Sequence, residues 1–386
     1  MISRIAIKAL ITLSEQYKSI AVVGPRQSGK TTLVRSVFPV KPYVNLENPD
    51  IRAFALEDPR AFLSQFSSNG AILDEAQRAP HLFSYLQQML DEKEDRAQFI
   101  ITGSNNFLLQ QNSTQSLAGR VGYLTLLPFS LSEIKTNAPQ DISELLFKGF
   151  YPPLYDQPFD IQSWFSNYIR TYIERDVRQL KGIENLIIFE RFVKLCAGRI
   201  GQLLNKNALA IEVGVDNKTI ESWIGVLEAS FIVFRLQPHH KNFNKRIVKM
   251  PKLYFYDVGL ASALLGIQHA NQWELHPFKG NVFENLIIVE FLKQRFNQGK
   301  PNNLYFWRNN TGNEVDIIID NFEELIPVEI KSGKTITQEY FKGLHYWNKL
   351  TGSLGGMVIY GGSTYQKRSG QIEVIPYRSM SENNII

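Results

Sequence analysis

The amino-acid sequence predicts an α/β protein of several domains, with a parallel sheet and flanking helices at its N-terminal end. The chain has 386 residues, which is more than one ordinary hydrophobic core accommodates. An apolar run, KSIAVV, leads through a glycine-containing loop into a helix-forming segment. Two later apolar runs, GAILDEAQ at 70–77 and QFIITGSNN at 98–106, end in polar residues, as strands that carry a ligand site at their carboxyl ends do.

The composition narrows the class of protein. With 44% hydrophobic and 20% charged residues, the chain is predicted to be globular and not disordered. It has no apolar run near the ~18 residues of a spanning helix, and its N-terminus does not resemble a signal peptide. Cys196 is the only cysteine and the six histidines are scattered, which excludes an intrachain disulfide and a cysteine-based zinc site. A cytoplasmic location without a membrane is predicted, and the net charge of +5 favours anionic partners.

The loop GPRQSGKT, Gly24 to Thr31, has the spacing G-x-x-x-x-G-K-[ST]. Glycines allow the tight path that aims successive N–H groups at phosphate oxygens, and the helix N-terminus adds partial positive charge. We expect Lys30 to reach the β- and γ-phosphates of ATP and the Thr31 hydroxyl to ligate Mg²⁺. The alternative, a glycine turn that matches by chance, is disfavoured by the strand before it and the helix after it. The predicted nucleotide-binding residues are Gly24, Pro25, Arg26, Gln27, Ser28, Gly29, Lys30, Thr31 and Thr32.

The two later strands supply candidate catalytic groups. Asp74 is expected to hold the Mg²⁺ with its water shell, and Glu75 is expected to polarise the attacking water. An Asp-Glu pair at a strand end can also be a solvated cap, but the phosphate loop upstream favours the functional interpretation. The neighbouring strand could place Ser104 or Asn105 near the γ-phosphate.

Taken together, these motifs resemble the AAA+ class of P-loop ATPases. They are most similar to the bacterial and archaeal family in which such a domain precedes a C-terminal domain of initially unknown function. The resemblance covers nearly the whole chain, including YVNLENPDIRAFALEDPRAFL, LDEAQ, TGSNN and LAGRVGYLTLLPFSLSEI. It implies that Asn105 senses the γ-phosphate and that Arg120 contacts a phosphate or a neighbouring subunit. Arg175 is a rival for that role, and an exposed, salt-bridged Arg120 is the alternative.

The middle of the chain predicts a helical connector and a winged helix. The segment Trp164–Leu180 has apolar residues at three- and four-residue intervals, as an amphipathic helix does. Two short helices then flank Gly214, the second capped by Asp216 or Asn217 and running to Leu227, which is the helix-turn-helix pattern. Two strands around a basic loop follow. The basic residues of that loop are Lys241, Lys245, Arg246, Lys249 and Lys252.

This module has two interpretations. A recognition helix with a basic wing would bind DNA through its phosphates. A packing adaptor is the alternative, because the second helix carries Lys218, Glu221 and Trp223 instead of a basic face.

The C-terminal segment places acids within apolar strands. Asp316 lies in EVDIII, and Glu329 and Lys331 lie in VEIK about a dozen residues later. The turn NFEEL predicts antiparallel neighbours, so Asp316 should face Glu329 and Lys331 across the ladder. Two close carboxylates repel unless a cation or a shared proton neutralises them. An oxygen-only site suits Mg²⁺ or Mn²⁺, and Lys331 would then orient or deprotonate a nucleophile.

With an upstream helix that offers Glu284, the order D-x(12)-E-x-K is similar to the PD-(D/E)xK nuclease fold. The resemblance implies catalytic roles for Glu284, Asp316, Glu329 and Lys331, with Asp316 and Glu329 as metal ligands. Val315 stands where that motif has proline. The simpler alternative is that Lys331 pairs with an acid on a solvated sheet face.

The predicted domains are an ATPase domain (1–140), a helical connector (141–185), a winged helix (186–265) and a nuclease-like domain (266–386). One hypothesis is an ATP-driven enzyme that acts on nucleic acid, DNA more than RNA. The other is a regulatory or scaffold ATPase whose nuclease-like fold is inactive and binds a protein partner. Assembly as a homo-oligomer is a further candidate.

Overall fold

The computed structural model describes residues 2–92, 95–104, 117, 119–139, 141–172, 185–239 and 248–380. The chain divides into two compact units. The first comprises Met1–Phe129, Glu228–Ile232 and Lys293–Pro301, and the second comprises Ser130–Leu227, Val233–Leu292 and Asn302–Ile386. The division into four domains is finer than this and stays a prediction. Within the described residues, no helix combines the length and the apolar character that crossing a membrane requires.

The first unit is built on a five-stranded parallel sheet. Its strands are β1 (Ser19–Val23), β2 (Tyr43–Asn45), β3 (Ala71–Asp74), β4 (Phe99–Gly103) and β5 (Val121–Thr125). They lie in the order β2-β3-β4-β1-β5, and every neighbouring pair is parallel. The prediction of an α/β protein with a parallel sheet is therefore confirmed. Because the strands are parallel, the segments that follow β1, β3 and β4 meet at one edge of the sheet.

Among the described residues, five α-helices accompany this sheet. They are α1 (Ile7–Gln16), α2 (Lys30–Val37), α3 (Pro49–Glu57), α4 (Pro59–Ser64) and α5 (Leu82–Asp91). The sequence sets two of the helix starts, because Asn48 and Asp58 accept hydrogen bonds from backbone N–H groups and a proline follows each. Apolar residues from α1, α2 and the strands form one buried core, which includes Leu10, Ile20, Val22, Leu33, Ile72, Ile100 and Leu124.

The described residues between 142 and 264 are mainly helical. The helices are α6 (Ile142–Lys148), α7 (Pro153–Asp156), α8 (Ile161–Tyr172), α9 (Leu186–Ala197), α10 (Lys206–Val213), α11 (Asn217–Ala229) and α12 (Val258–Leu264). The short strands β6 (Val233–Leu236) and β7 (Lys252–Phe255) pair in antiparallel fashion. The C-terminal half of the helix predicted at 164–180 lies outside the described residues.

The turn between α10 and α11 follows the sequence pattern closely. Gly214 takes a left-handed conformation with φ of 86°, which glycine adopts without the steric cost that other residues bear. The Asp216 carboxylate accepts a 2.7 Å hydrogen bond from the N–H of Thr219 and so caps α11. The helices, cap and strand pair needed for a winged helix are present, but the identity of the module stays a prediction.

The C-terminal part, as far as the structure describes it, carries a six-stranded mixed sheet and two α-helices. The helices are α13 (Lys279–Asn297) and α14 (Lys342–Thr351); the strands are β8 (Leu304–Arg308), β9 (Glu314–Asp320), β10 (Leu325–Lys331), β11 (Gly356–Tyr360), β12 (Gln366–Arg368) and β13 (Ile372–Pro376). Their order is β12-β13-β11-β10-β9-β8. The pairs β8–β9, β9–β10 and β12–β13 are antiparallel, whereas β10–β11 and β11–β13 are parallel.

The hairpin of β9 and β10 has the geometry that the sequence predicts. The backbone ladder runs from Asp320 opposite Leu325 to Ile317 opposite Val328. Beyond it, the Asp316 side chain accepts a hydrogen bond from the N–H of Ile330. Trp347 of α14 packs in a buried cluster with Trp307, Val315 and Ile318, and so covers one face of the hairpin.

Candidate functional site

The phosphate loop connects β1 to α2 through a backbone path that requires glycine. At Gly24 φ is 153°, and a Cβ atom there would lie 2.1 Å from the carbonyl oxygen of Leu126. Gly29 directly precedes α2 with φ of 91° and provides no capping side chain. The first N–H groups of α2 are therefore offered to a ligand, as phosphate binding requires.

The Lys30 side chain lies folded over this loop. Its ammonium group donates hydrogen bonds to the carbonyl oxygens of Gly24, at 2.9 Å, and Pro25, at 2.7 Å. The residue is 6% exposed. Within the described part of the chain, the buried Ser28 hydroxyl in the same loop has no hydrogen-bond partner. A buried cation and a buried hydroxyl without a partner fit an anionic ligand at the loop.

Thr31 and Asp74, predicted to share a Mg²⁺ ion, lie together. The Thr31 hydroxyl donates to Asp74 Oδ2 over 2.9 Å. Two further side chains, which sequence reasoning missed, hold the same carboxylate. Tyr43 donates to Oδ2 over 2.6 Å, and Thr102 donates to Oδ1. Burial, together with the Asp74 carboxylate, raises the pKa of the Tyr43 phenol. A hydroxyl and a carboxylate at this spacing fit Mg²⁺, which takes a few protein oxygens and completes its shell with water and phosphate.

Glu75, the predicted catalytic base, follows directly after β3. Its backbone is left-handed, with φ of 55°. The carboxylate accepts hydrogen bonds from Gln77 Nε2, at 2.6 Å, and from the Ser104 hydroxyl, at 3.2 Å. The ends of β3 and β4 therefore lie next to each other, as the sequence predicts, and Gln77 is an additional hydrogen-bond donor to Glu75. Asn105, the predicted γ-phosphate sensor, lies outside the described residues.

Arg120 lies at the opposite edge of the sheet from the phosphate loop. It immediately precedes β5, and its carbonyl oxygen accepts from the N–H of Ser19, the first residue of β1. A five-residue strand spans about 16 Å, so the prediction that Arg120 contacts a phosphate on its own chain is not supported. The guanidinium group instead pairs with Asp91, with Nη2 2.9 Å from Oδ2. A contact with a neighbouring subunit stays a prediction, and its rival Arg175 lies outside the described residues.

The second predicted site also assembles from residues far apart in the sequence. Lys331 Nζ lies 3.2 Å from Asp316 Oδ2 and 2.5 Å from Glu329 Oε2. Asp316 also accepts a 2.8 Å hydrogen bond from the N–H of Ile330. A Cβ atom on Gly343, at the start of α14, would lie 1.9 Å from Glu329 Oε1. Sequence reasoning missed this glycine, which allows the helix to approach the carboxylate.

The charges in this site influence one another strongly. Burial and the Asp316 carboxylate raise the pKa of Glu329 to about 8. Burial alone would raise the pKa of Asp316 too, but Lys331 and Lys252 outweigh it and lower that pKa. Likewise, Asp316 and Glu329 outweigh burial and raise the pKa of the Lys331 ammonium group. Asp316 therefore carries the negative charge beside a firmly protonated Lys331.

Glu284, the candidate from α13, belongs to a neighbouring buried network. Its Oε1 accepts from Lys252 Nζ at 3.0 Å and from the Tyr254 hydroxyl at 2.5 Å. Lys252 also pairs with Glu314, which in turn pairs with Arg308 at 3.0 Å. The network thus connects β7, α13, β8 and β9.

This network corrects one prediction about the basic loop. Lys252 was expected to contact nucleic-acid phosphates, but it is 3% exposed and neutralised by acids, so that prediction is wrong. Its position at the start of β7 turns the side chain into the protein interior. Lys249 is exposed. The other predicted wing residues, Lys241, Lys245 and Arg246, lie outside the described residues.

Two side chains of α11, the predicted recognition helix, also contact other residues of the protein. Trp223 is buried against Phe189, with ring centroids 5.2 Å apart. Glu221 pairs at 2.8 Å with both Lys206 and Arg235. Lys218 remains exposed. These contacts favour a packing role for this face of α11.

The donors of the second site fit one divalent cation at most. Among the residues that the structure describes, no three acidic, histidine or cysteine side chains converge as metal ligands. Asp316 and Glu329 provide two oxygen donors, and their shared cation in this structure is the Lys331 ammonium group. Mg²⁺ often takes only one or two protein carboxylates and keeps several waters, so these two donors suffice if Lys331 moves aside.

Family profiles match three consecutive parts of the chain. The profile described as "AAA domain" matches residues 16–135. Two profiles described as domains of unknown function, DUF8612 and DUF4143, match residues 139–271 and 279–380. Together with the parallel sheet and the phosphate loop, the AAA match defines an AAA-type P-loop ATPase.

Two mycobacterial proteins are similar to this chain over most of its length. They are "Uncharacterized protein Mb2031c" of Mycobacterium bovis and "Uncharacterized protein Rv2008c" of Mycobacterium tuberculosis. Each is 33% identical over 321 residues, which cover 82% of this chain and 70% of the relative. The chain belongs to the family of these two proteins.

Two solved structures show weaker likeness. The Walker-type ATPase PABY2304 of Pyrococcus abyssi is 15% identical, with 67% of this chain and 94% of that chain covered and a TM-score of 0.45. AMPPCP-bound DnaA from Aquifex aeolicus is 14% identical, with coverages of 58% and 86% and a TM-score of 0.30. The class of the protein therefore rests on the AAA profile and on the geometry of the phosphate loop.

Proposed function

We propose that this protein hydrolyses ATP with Mg²⁺ in its N-terminal domain and couples hydrolysis to a nuclease-like C-terminal domain that acts on nucleic acid, DNA more than RNA. The observation that carries the first half is the hydrogen bond of Thr31 to Asp74 beside the phosphate loop. The observation that carries the second half is the convergence of Asp316, Glu329 and Lys331.

The chain's own residues would divide the ATPase chemistry as follows. The N–H groups of the loop and of the first turn of α2 bind phosphate oxygens, and Lys30 exchanges its contacts with Gly24 and Pro25 for the β- and γ-phosphates. Thr31 and Asp74 would hold Mg²⁺, which supplies positive charge at the transferred phosphate when it is bound. Glu75, oriented by Gln77 and Ser104, accepts a hydrogen bond from the attacking water.

In the C-terminal domain, Asp316 and Glu329 would hold a Mg²⁺ or Mn²⁺ ion, which supplies Lewis acidity to a phosphodiester when it is bound. The raised pKa of Lys331 favours a role in stabilising negative charge over a role as a base. Since Lys331 is the more exposed member, with 30% of its side chain accessible, it can move toward a substrate phosphate. That movement would free the two carboxylates for the cation.

A second function is favoured by the pairing of Glu284 with Lys252. All three acids of the nuclease-like motif have cationic partners within the protein, so the cluster is electrically compensated without a metal. Under this reading the protein is a regulatory or scaffold ATPase, and the C-terminal fold binds a protein partner. The ATPase chemistry is the same in both cases.

The test is incubation of the purified protein with labelled DNA and RNA, with Mg²⁺ or Mn²⁺, in the presence and absence of ATP. We expect metal-dependent cleavage that Asp316→Asn abolishes and that Asp320→Asn, a matched change at the other end of β9, leaves intact. ATP hydrolysis should persist in both variants. Absence of cleavage and of nucleic-acid binding under all conditions would support the scaffold function instead.

A further inference from the structure

Arg4 reaches the back of the phosphate loop, although no nucleotide-binding motif includes it. Its guanidinium group donates to the carbonyl oxygen of Ser28 over 2.6 Å and to that of Leu127 over 2.7 Å. It also lies 5.0 Å from the ring centroid of Phe129. The residue is 8% exposed, so its charge is stabilised by these contacts instead of by water.

The contact with Ser28 constrains one particular peptide unit. The carbonyl group of Ser28 and the N–H group of Gly29 belong to the same planar trans peptide, so they point in opposite directions. When Arg4 holds this carbonyl, the Gly29 N–H points away from Arg4. In a phosphate loop the backbone N–H groups cradle the α- and β-phosphates, so an N–H fixed in this orientation is available to them.

The other two contacts join Arg4 to a second part of the same unit. Leu127 and Phe129 lie just after β5, and the neighbouring carbonyl of Leu126 lies against Gly24. Both ends of the phosphate loop are therefore set against the segment that leaves β5. Gly24 contacts that segment directly, and Ser28 is joined to it through Arg4. A loop that is held in place before binding loses less conformational freedom when it binds phosphate.

We propose that Arg4 is a positioning residue for nucleotide binding, which holds the Ser28–Gly29 peptide so that its N–H is aimed at the diphosphate. The proposal rests on the proposed ATP site. The proposal has a specific consequence, because ATP and ADP share the α- and β-phosphates. Loss of Arg4 should weaken ATP and ADP binding equally, whereas loss of a group that reads the γ-phosphate would weaken ATP binding selectively.

The experiment measures dissociation constants of ATP and ADP for the full-length chain. Arg4→Met should raise both constants by about 10-fold or more, the effect of losing one hydrogen bond to a charged group. Arg4→Lys, which retains the charge but not the planar fork, should recover part of the affinity. The matched control is Lys41→Met. Lys41 also donates to two backbone carbonyls, of Asn69 at 2.8 Å and Gln98 at 3.3 Å, but at the amino edge of the sheet.

Melting temperatures of the nucleotide-free proteins separate positioning from folding. We expect Lys41→Met to lose thermal stability, because it removes two hydrogen bonds of a half-buried cation, while its affinity for both nucleotides stays at the wild-type value. Arg4 variants that bind both nucleotides like wild type, or that lose affinity only for ATP, would overturn the proposal. If wild type itself binds neither nucleotide, the proposed ATP site fails, which is a separate result.

Discussion

Thr31 and Asp74 are 43 positions apart in sequence and joined by a 2.9 Å hydrogen bond from the threonine hydroxyl to the carboxylate. The bond links the first turn of α2 to the carboxyl end of β3, where Tyr43 and Thr102 hold the same carboxylate. Four side chains from four different elements therefore define the place where a Mg²⁺–nucleotide complex would bind.

Lys30→Ala and Glu75→Gln should separate binding from hydrolysis. Lys30→Ala removes the cation from the loop, so ATP affinity should fall. Glu75→Gln preserves the shape but not the charge of the base, so ATP should bind while turnover falls by about 10²-fold or more. Nucleotide titration and steady-state phosphate release measure the two effects. Turnover of Glu75→Gln at the wild-type level would remove Glu75 from the role of base.

Tyr43→Phe should reduce turnover without preventing nucleotide binding. The change deletes the hydroxyl group that donates to Asp74 Oδ2 over 2.6 Å. Its loss loosens the carboxylate at a cost of about 1 kcal/mol, or roughly a 5-fold loss in rate. ATPase assays over a range of Mg²⁺ concentrations measure this. The control is Tyr85→Phe, an exposed tyrosine on α5. Equal rates for both variants would mean that Tyr43 only packs against the sheet.

Asp316→Asn should change how the protein responds to Mn²⁺. If Asp316 and Glu329 hold a divalent cation, Mn²⁺ should raise the melting temperature of wild type relative to EDTA, because a ligand that binds only the folded state stabilises it. The variant should lose that increase. Should Mn²⁺ leave wild type unaffected, or raise both proteins equally, the metal site is wrong.

Lys252→Met should destabilise the protein by about 3–5 kcal/mol, because it leaves Glu284 and Glu314 without their buried cation. Urea unfolding measures the change.

Since Lys252 is buried, the salt dependence of any nucleic-acid binding should be the same in the folded Lys252→Met variant as in wild type. Lys249→Met, the exposed control, should instead flatten the salt dependence by about one unit of slope if the loop touches phosphates. A change of slope in Lys252→Met alone would contradict the buried assignment.

Glu221→Gln should lower stability near neutral pH by about 0.5 kcal/mol, since this half-exposed carboxylate pairs with Lys206 and Arg235. The same partners lower its pKa. Its contribution is therefore present above the pKa of an unfolded-chain glutamate and is lost as pH falls through the lower folded value. Unfolding curves of wild type and variant should converge in acid. The control is Glu190→Gln, which removes one surface pair with Lys194. A difference in stability between wild type and Glu221→Gln that persists at low pH would contradict the pairing.

The local features of both sites could be predicted from the sequence because they follow from short-range chemistry. Glycine spacing predicts the phosphate loop, apolar runs predict β1, β3 and β4, and alternation along β9 and β10 predicts that Asp316 faces Glu329 and Lys331. Each of these depends on the period of a strand or on backbone freedom at glycine. The sequence by itself thus determined the class of fold, the loop and the two sets of acids.

Only the tertiary structure decided which distant side chains support those sites. Arg4 contacts the phosphate loop and Tyr43 contacts Asp74, and both lie in segments whose sequences carry no nucleotide motif. Lys252 lies in a basic run and looks like a surface residue, yet β7 directs it toward Glu284 and Glu314. The parallel direction of β1 and β5 likewise places Arg120 at the edge opposite the loop. Such contacts depend on strand order and on the packing of helices against the sheet, which join positions that have no periodic or local relationship in the chain.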